Sequence, residues 1–201
     1  MGTEANFMTP IYIEQVGDDK VTAEIDEILP KIREQDDFIK PDHWDENHTI
    51  STNINDRTDT VKDFDMVKLS HLIENNIVKY MGDVQPHGEN FIFRGDSWVN
   101  INNKGDSQEW HTHGTAYISG VYYYKVPEDS GDLLLKHPVP YIQQGHFPTG
   151  KNVGQKVNIK IQSGMIVLFP SWMDHKVEKN KSDDERITFA FNYYREVRPN
   201  E

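Results

Sequence analysis

The 201-residue sequence contains no cysteine. Disulfides, thiolate metal sites, iron–sulfur clusters and cysteine nucleophiles are excluded together. Nor is there an apolar run close to the ~20 residues that a membrane-spanning helix requires, so no membrane partner is expected. Basic residues are few: 21 Lys and Arg stand against 33 Asp and Glu, for a net charge of −12. Phosphate backbones are bound by clustered Lys and Arg. The chain has no such run, which disfavours a nucleic-acid partner. The N-terminus has no basic stretch followed by an apolar one, and Asn6 breaks the Met-Gly-x-x-x-Ser/Thr acylation pattern. A cytoplasmic protein is the expectation.

Aromatic residues are plentiful. Four Trp, nine Tyr and nine Phe are too many for a disordered chain, and the length suits one domain. Two regions are expected within it. Residues 1–90 read as a helical support region that opens on a short β-like run, Ile11-Tyr12-Ile13. Val21, Ile25, Ile28, Leu29 and Ile32 recur at helical spacing, with Pro30 predicting a kink or two shorter helices. Residues 41–61 read as a polar loop. Met66, Leu69, Leu72, Ile73, Ile77 and Tyr80 then make an amphipathic helix, with Gly82 placed to stop it.

From residue 91 to 201 the periodicity shifts toward two, and β-branched and aromatic residues dominate. Nine short strands are predicted: 91–94, 98–102, 109–113, 117–125, 132–136, 156–162, 165–169, 175–177 and 186–194. Gly and Pro punctuate the gaps. Many short strands separated by turns define a mainly β sandwich or barrel with N-terminal helices.

The chemistry lies among nine histidines. His43, His48, His71, His87, His137 and His146 sit in loops, beside turn residues or on the amphipathic helix, and read as structural or solvated. His111 and His113 are two apart, so in a strand they face the same side and can share one cation. His175 follows an apolar strand and a Pro turn, and Arg186 opens the last strand. An antiparallel return would make His175 and Arg186 neighbours in adjacent strands. A guanidinium there can hold a carboxylate bidentately; the alternative is a surface ion pair with the Asp183-Asp184-Glu185 run. Trp98, Trp110 and Trp172 read as core, and Trp98 and Trp110 share a face if their strands pair.

Ser97–Asn102 (SWVNIN), Glu109–His113 (EWHTH), Ile118–Tyr124 (ISGVYYY), Gly164–His175 (GMIVLFPSWMDH) and Arg186–Asn192 (RITFAFN) occur in this order. Together they resemble the phage-type iron(II)/2-oxoglutarate-dependent oxygenases and, more distantly, the prolyl hydroxylases. The resemblance implies a double-stranded β-helix (a jelly roll, cupin-like) over residues 91–201, with residues 1–90 supporting it. It implies an Fe(II)- and 2-oxoglutarate-dependent dioxygenase that hydroxylates an unidentified substrate and decarboxylates 2-oxoglutarate to succinate. Fe(II) would be held by His111, His113 and His175. Arg186 would anchor the far carboxylate of 2-oxoglutarate, with Tyr123, Asn100 and Asn192 as further contacts. O2 would be the second cosubstrate, the substrate a peptide, protein or small molecule, and the location the host cytoplasm if the chain is phage-encoded.

The superfamily usually has Asp or Glu where this chain has His113, so Glu109 or Asp174 is an alternative source of a carboxylate ligand. Two other functions stay open at this point. One is a jelly-roll binding module with a vestigial metal site. The other is a cupin-like three-His metalloenzyme that does not use 2-oxoglutarate.

Overall fold

The structure is a computed structural model that describes residues 9–35, 50–52, 59–84, 92–139 and 156–196. In chain order the elements are β1 (Tyr12–Gln15), α1 (Asp19–Gln35), β2 (Ile50–Ser51), α2 (Thr60–Asp63), α3 (Val67–Val84), β3 (Ile92–Asn102), β4 (Gln108–His111), β5 (Ile118–Lys125), β6 (Leu133–Lys136), β7 (Lys156–Ile159), β8 (Met165–Pro170), β9 (His175–Val177) and β10 (Arg186–Arg195). Among the described residues no helix is long and apolar enough to cross a membrane.

Two antiparallel sheets face each other as a jelly roll. The larger has the order β1-β8-β5-β10-β3-β2 and the smaller β4-β9-β6-β7. The central strands of the larger sheet are covered on both faces. On one side Val99, Ile101, Tyr122, Phe189 and Phe191 pack with Val21, Ile25, Ile32, Leu69, Ile73 and Ile77 from α1 and α3. On the other, Tyr123, Val167 and Phe169 pack with Leu133, Leu135 and Ile159 of the smaller sheet. Strand alternation assigns the sides. Tyr122 joins the helix-side core, and Tyr123 alone of Tyr122, Tyr123 and Tyr124 joins the core between the sheets.

Several local expectations change. In the first 90 residues the expected β-like run is β1, shifted to Tyr12–Gln15 and paired with β8, and a second, unexpected strand, β2, pairs with β3, so both edges of the larger sheet come from this region. α1 is one helix that contains Pro30. α3 runs through Gly82 to Val84, and a Cβ at Gly82 would meet nothing within 4 Å, so nothing there forces a stop. Within the expected 41–61 loop, Ile50–Ser51 is a strand and Thr60 begins a helix; the remainder, except Thr52 and Asp59, lies outside the described residues. The two strands expected over 91–94 and 98–102 are one, β3, with a register shift opposite Asn192 and Tyr193 that absorbs Gly95. His43, His48, His87 and His146 lie outside the described residues, and His71 is exposed on α3.

The two-sided burial leaves little spare volume. A Cβ on Gly120 in β5 would lie 2.3 Å from the Phe191 ring and 2.6 Å from a Leu168 methyl, both fully buried. Gly120→Ala is therefore expected to destabilise the protein by about 1–3 kcal/mol through overpacking. In urea unfolding the midpoint should fall at constant slope. An unchanged midpoint would contradict the packing described.

Candidate active site

A cavity of about 270 Å³ opens between the sheets. His111, His113 and His175 line it, together with Trp98, Tyr123 and Arg186. One ligand atom from each of the three imidazoles can be chosen so that all lie within 4.8 Å of one another.

The histidines reach this point by different routes. His111 ends β4 and stands directly opposite His175 in the β4–β9 pairing. His113 lies beyond the end of β4, so its position does not come from strand alternation. It is set by a turn: the His113 backbone N–H donates to Ser171 O at 3.0 Å, tying it to the link between β8 and β9. The His113 ring stacks on Trp98 at 5.5 Å, and the Phe169 ring meets His175 edge-on at 4.8 Å.

Main-chain carbonyls fix the orientation of two rings. His111 Nδ1 lies 2.7 Å from Glu109 O, and His175 Nδ1 lies 2.9 Å from Met173 O. Each carbonyl selects the tautomer with hydrogen on Nδ1, leaving Nε2 as a lone-pair donor, which is the arrangement found behind metal-bound imidazoles. His113 Nε2 and His175 Nε2 stand 3.2 Å apart. Two nitrogens bound cis to one ion at ~2.1 Å would be ~3 Å apart. The donor set thus fits a divalent first-row metal such as Fe(II).

The alternative carboxylates are engaged elsewhere. Glu109 is exposed and lies 3.9 Å from Lys176 Nζ. Asp174 pairs with Lys136 Nζ at 2.5 Å. Among the described residues, neither joins the cluster of potential ligands.

Arg186 is fully buried. It opens β10 in the larger sheet, whereas His175 belongs to the smaller one, so the two face across the barrel instead of lying on adjacent strands. The acidic residues before it pair with other partners: Asp183 with Lys104 at 2.6 Å, Asp184 with Lys125 at 3.7 Å, and Glu185 with Arg33 at 2.7 Å. The surface-pair alternative is therefore wrong. The Arg186 guanidinium donates to the main-chain carbonyls of Ser130, Gly131 and Glu178. Its Nε is buried without a hydrogen-bond partner. Gly131 is required in this cradle: its φ is +82°, and a Cβ would sit 2.7 Å from Glu178 O. Burial pushes the guanidinium down to about 10, so it remains charged at neutral pH. Among the described residues no carboxylate forms an ion pair with it. An unmet buried cation and three neutral metal donors in one cavity suit a ligand that is anionic and also chelates a metal.

Tyr123 is buried, and burial pushes its phenol up, so its hydroxyl is neutral. Asn100 lines the cavity beside it. Asn192 is buried and not among the lining residues; its Oδ1 accepts from Ser119 Oγ at 2.8 Å. Trp98 is buried, but Trp172 is 53% exposed and not core. Trp110 carries Lys136 Nζ over its ring at 4.5 Å, and because β3 and β4 belong to different sheets it does not share a sheet face with Trp98. The sequence pattern missed the carbonyls that orient the imidazoles and the cradle of Arg186. Main-chain groups carry no residue-type signal; Gly131 was the one available hint.

Residues 96–192 match the family model described as "Putative 2OG-Fe(II) oxygenase". The match covers most of the strand-rich region, just under half of the chain. The enzyme class so defined is a 2-oxoglutarate-dependent oxygenase, an oxidoreductase whose cofactors are Fe(II) and 2-oxoglutarate. No curated protein sequence matches the chain. Solved structures share the fold at low identity. HygX from Streptomyces hygroscopicus, with nickel and 2-oxoglutarate bound, is 12% identical with a TM-score of 0.61, over 92% of this chain and 83% of that one. A prolyl hydroxylase from Trichoplax adhaerens, in complex with a hypoxia inducible factor peptide fragment, is 14% identical with a TM-score of 0.61, over 92% and 83%. A Pseudomonas putida prolyl-4-hydroxylase is 11% identical with a TM-score of 0.61, over 94% of each chain.

The three imidazoles give the metal-free protein a pH dependence. Burial pushes His175 down to about 3 and His113 to about 4, and lowers His111 as well. Between the ordinary value near ~6.5 and these depressed values, the unfolded chain binds more protons than the folded one, so stability falls as pH drops through that window. The urea midpoint of metal-free protein should decrease between pH 7.5 and pH 5. His113→Gln should shrink the decrease. An equal decrease in the variant would show that the imidazoles do not cause it.

Proposed function

We propose that the protein hydroxylates a C–H bond of its substrate, with His111, His113 and His175 as the protein ligands of Fe(II) and Arg186 as the anchor of 2-oxoglutarate. Bound together, Fe(II) and 2-oxoglutarate supply the oxidising chemistry: 2-oxoglutarate, O2 and substrate become succinate, CO2 and hydroxylated substrate. The chain supplies binding, orientation and exclusion of water. The imidazoles hold three metal positions and leave the others for cosubstrates. Arg186 holds the far carboxylate deep in the cavity. The neutral Tyr123 hydroxyl and the Asn100 amide orient it by hydrogen bonding. Asn192 acts from behind, by fixing Ser119 on the cavity wall.

The observation that carries this reading is the unpartnered Nε of a fully buried, charged Arg186. A buried donor on a charged group is costly when unmet, and a carboxylate entering the cavity meets it. A three-His donor set is also compatible with a metalloenzyme that does not use 2-oxoglutarate. Such an enzyme has no use for a buried guanidinium beside the metal.

The test is the absorbance of the anaerobic Fe(II)–2-oxoglutarate complex, titrated with cosubstrate. Arg186→Lys retains charge but loses the planar fork. Losing one charge-assisted hydrogen bond, on the order of 1.5–3 kcal/mol, should weaken 2-oxoglutarate binding roughly ten- to a hundred-fold. Fe(II) content should be unchanged, because Arg186 is not a ligand. Equal cosubstrate affinity in the two proteins would overturn the anchor assignment.

A further inference from the structure

The three imidazoles are not held alike. His111 and His175 each direct Nδ1 at the main-chain carbonyl two residues before them. No such carbonyl serves His113. Among the described residues, the one polar contact of its ring is Nε2 against His175 Nε2, on the side where an ion would sit. Hydrogen bonding therefore fixes neither the tautomer of His113 nor the rotation of its ring. The main chain beneath it is irregular. His113 opens a turn, in which its carbonyl accepts from Ala116 N–H at 3.2 Å and Gly114 has a φ of +55°.

What His113 has instead is an aromatic surface. The Trp98 indole lies 5.5 Å from its ring, with the two planes inclined by 27°, which is the geometry of an offset stack. Trp98 is buried and stands on β3, inside the larger sheet between β10 and β2. Both of its chain neighbours are pinned by groups outside the cavity. Ser97 Oγ donates to Asp59 at 2.6 Å and accepts from Val61 N–H at 2.9 Å. Val99 N–H donates to Thr52 Oγ1 at 3.0 Å. Opposite Trp98 in the pairing with β10 is Ala190, whose small side chain leaves the indole room at the cavity wall. A pinned strand thus carries the indole, and a turn carries the imidazole.

We propose that Trp98 is a positioning residue of the metal centre: its indole face holds the His113 ring in the orientation that aims Nε2 at the ion, the task that carbonyls perform for His111 and His175. This deepens the oxygenase reading and rests on it. Charge adds a second effect. A neutral imidazole in place of the usual carboxylate leaves the site one unit more positive, and a ring that binds a cation takes up part of its charge. The indole offers the strongest negative π face among the side chains. It therefore offsets some of the charge that a carboxylate would have cancelled. Trp98 and His113 act as a pair, and the indole has less to do where the third ligand is a carboxylate.

The test compares Trp98→Phe, which keeps an aromatic face, with Trp98→Leu, which keeps an apolar residue and loses the face. Fe(II) affinity is measured anaerobically by competition with a chelator. Trp98→Leu should weaken it roughly ten- to a hundred-fold, the range known for groups that orient metal ligands, and Trp98→Phe should weaken it less. The second readout is specific to His113: imidazole 15N shifts of the protein loaded with Zn(II), a diamagnetic ion that imidazole also binds. In the wild type all three rings should show a metal-bound Nε2. In Trp98→Leu the His113 ring alone should lose that signature and show mixed tautomers; in Trp98→Phe it should keep it. If Trp98→Leu does not fold, Trp98→Met, which fills core volume without a π face, is read in its place. A residue that only fills the core would lower the urea midpoint and leave Fe(II) affinity and the His113 shifts of the folded protein unchanged. That result, loss of all three rings together, or a wild-type spectrum in which His113 is unbound would overturn the proposal. Failure of the oxygenase reading has a different signature: no Fe(II)–2-oxoglutarate absorbance band in the wild-type protein, whatever the imidazole shifts report.

Discussion

A fully buried guanidinium that meets no carboxylate has to be held by neutral groups, and Arg186 is held by the main chain. The carbonyls of Ser130, Gly131 and Glu178 accept its N–H groups, and the turn that presents two of them closes only because residue 131 has no Cβ. Desolvating a charge costs several kcal/mol unless hydrogen bonds compensate. Here they compensate in part, and Nε is left over. That residual demand gives the cavity its polarity. One part of it asks for an anion, and another offers three neutral nitrogen donors.

The frame around this cavity explains why the demand persists. The larger sheet is sealed on its outer face by α1 and α3 and on its inner face by the smaller sheet, so its alternating residues serve two cores. Inward positions on β3, β5 and β10 converge from three adjacent strands: Trp98 and Asn100, Tyr123, and Arg186. Rigid strands hold these side chains more firmly than loops would. The histidines come from the smaller sheet and its edge, and the His111–His175 register fixes two of them against each other. Trp98 and Phe169 restrict the rings, and carbonyl acceptors orient them.

Much of this was legible in the sequence, and the failures have physical causes. Period-two alternation located β4 to β10 within a few residues, because each strand separates two chemically different faces. Tyr123 was singled out by the family resemblance, and the structure places it alone of the three tyrosines in the core between the sheets. His175 and Arg186 were misplaced as strand neighbours, since the sequence between them does not say that the chain crosses from one sheet to the other. His113 was assigned to strand alternation, whereas a backbone bond to Ser171 across the barrel positions it. Trp172 looked apolar enough for a core, yet it belongs to the turn that carries the chain to His175 and remains exposed. Of the two edge strands from the N-terminal region, β1 overlaps the β-like run expected at Ile11-Tyr12-Ile13, whereas β2 escaped notice because a two-residue strand is too short to show a period.

The proposed metal centre differs from the usual two-histidine, one-carboxylate set in having a third neutral imidazole, and the ion pairs of Glu109 and Asp174 leave no obvious substitute. The most direct test is anomalous diffraction at the iron edge from crystals of anaerobic Fe(II)-loaded protein. The expected map has a single iron peak within ~2.3 Å of Nε2 of His111, His113 and His175. An iron bound by two of these imidazoles and a carboxylate of the chain, or a peak away from the cluster, would contradict it.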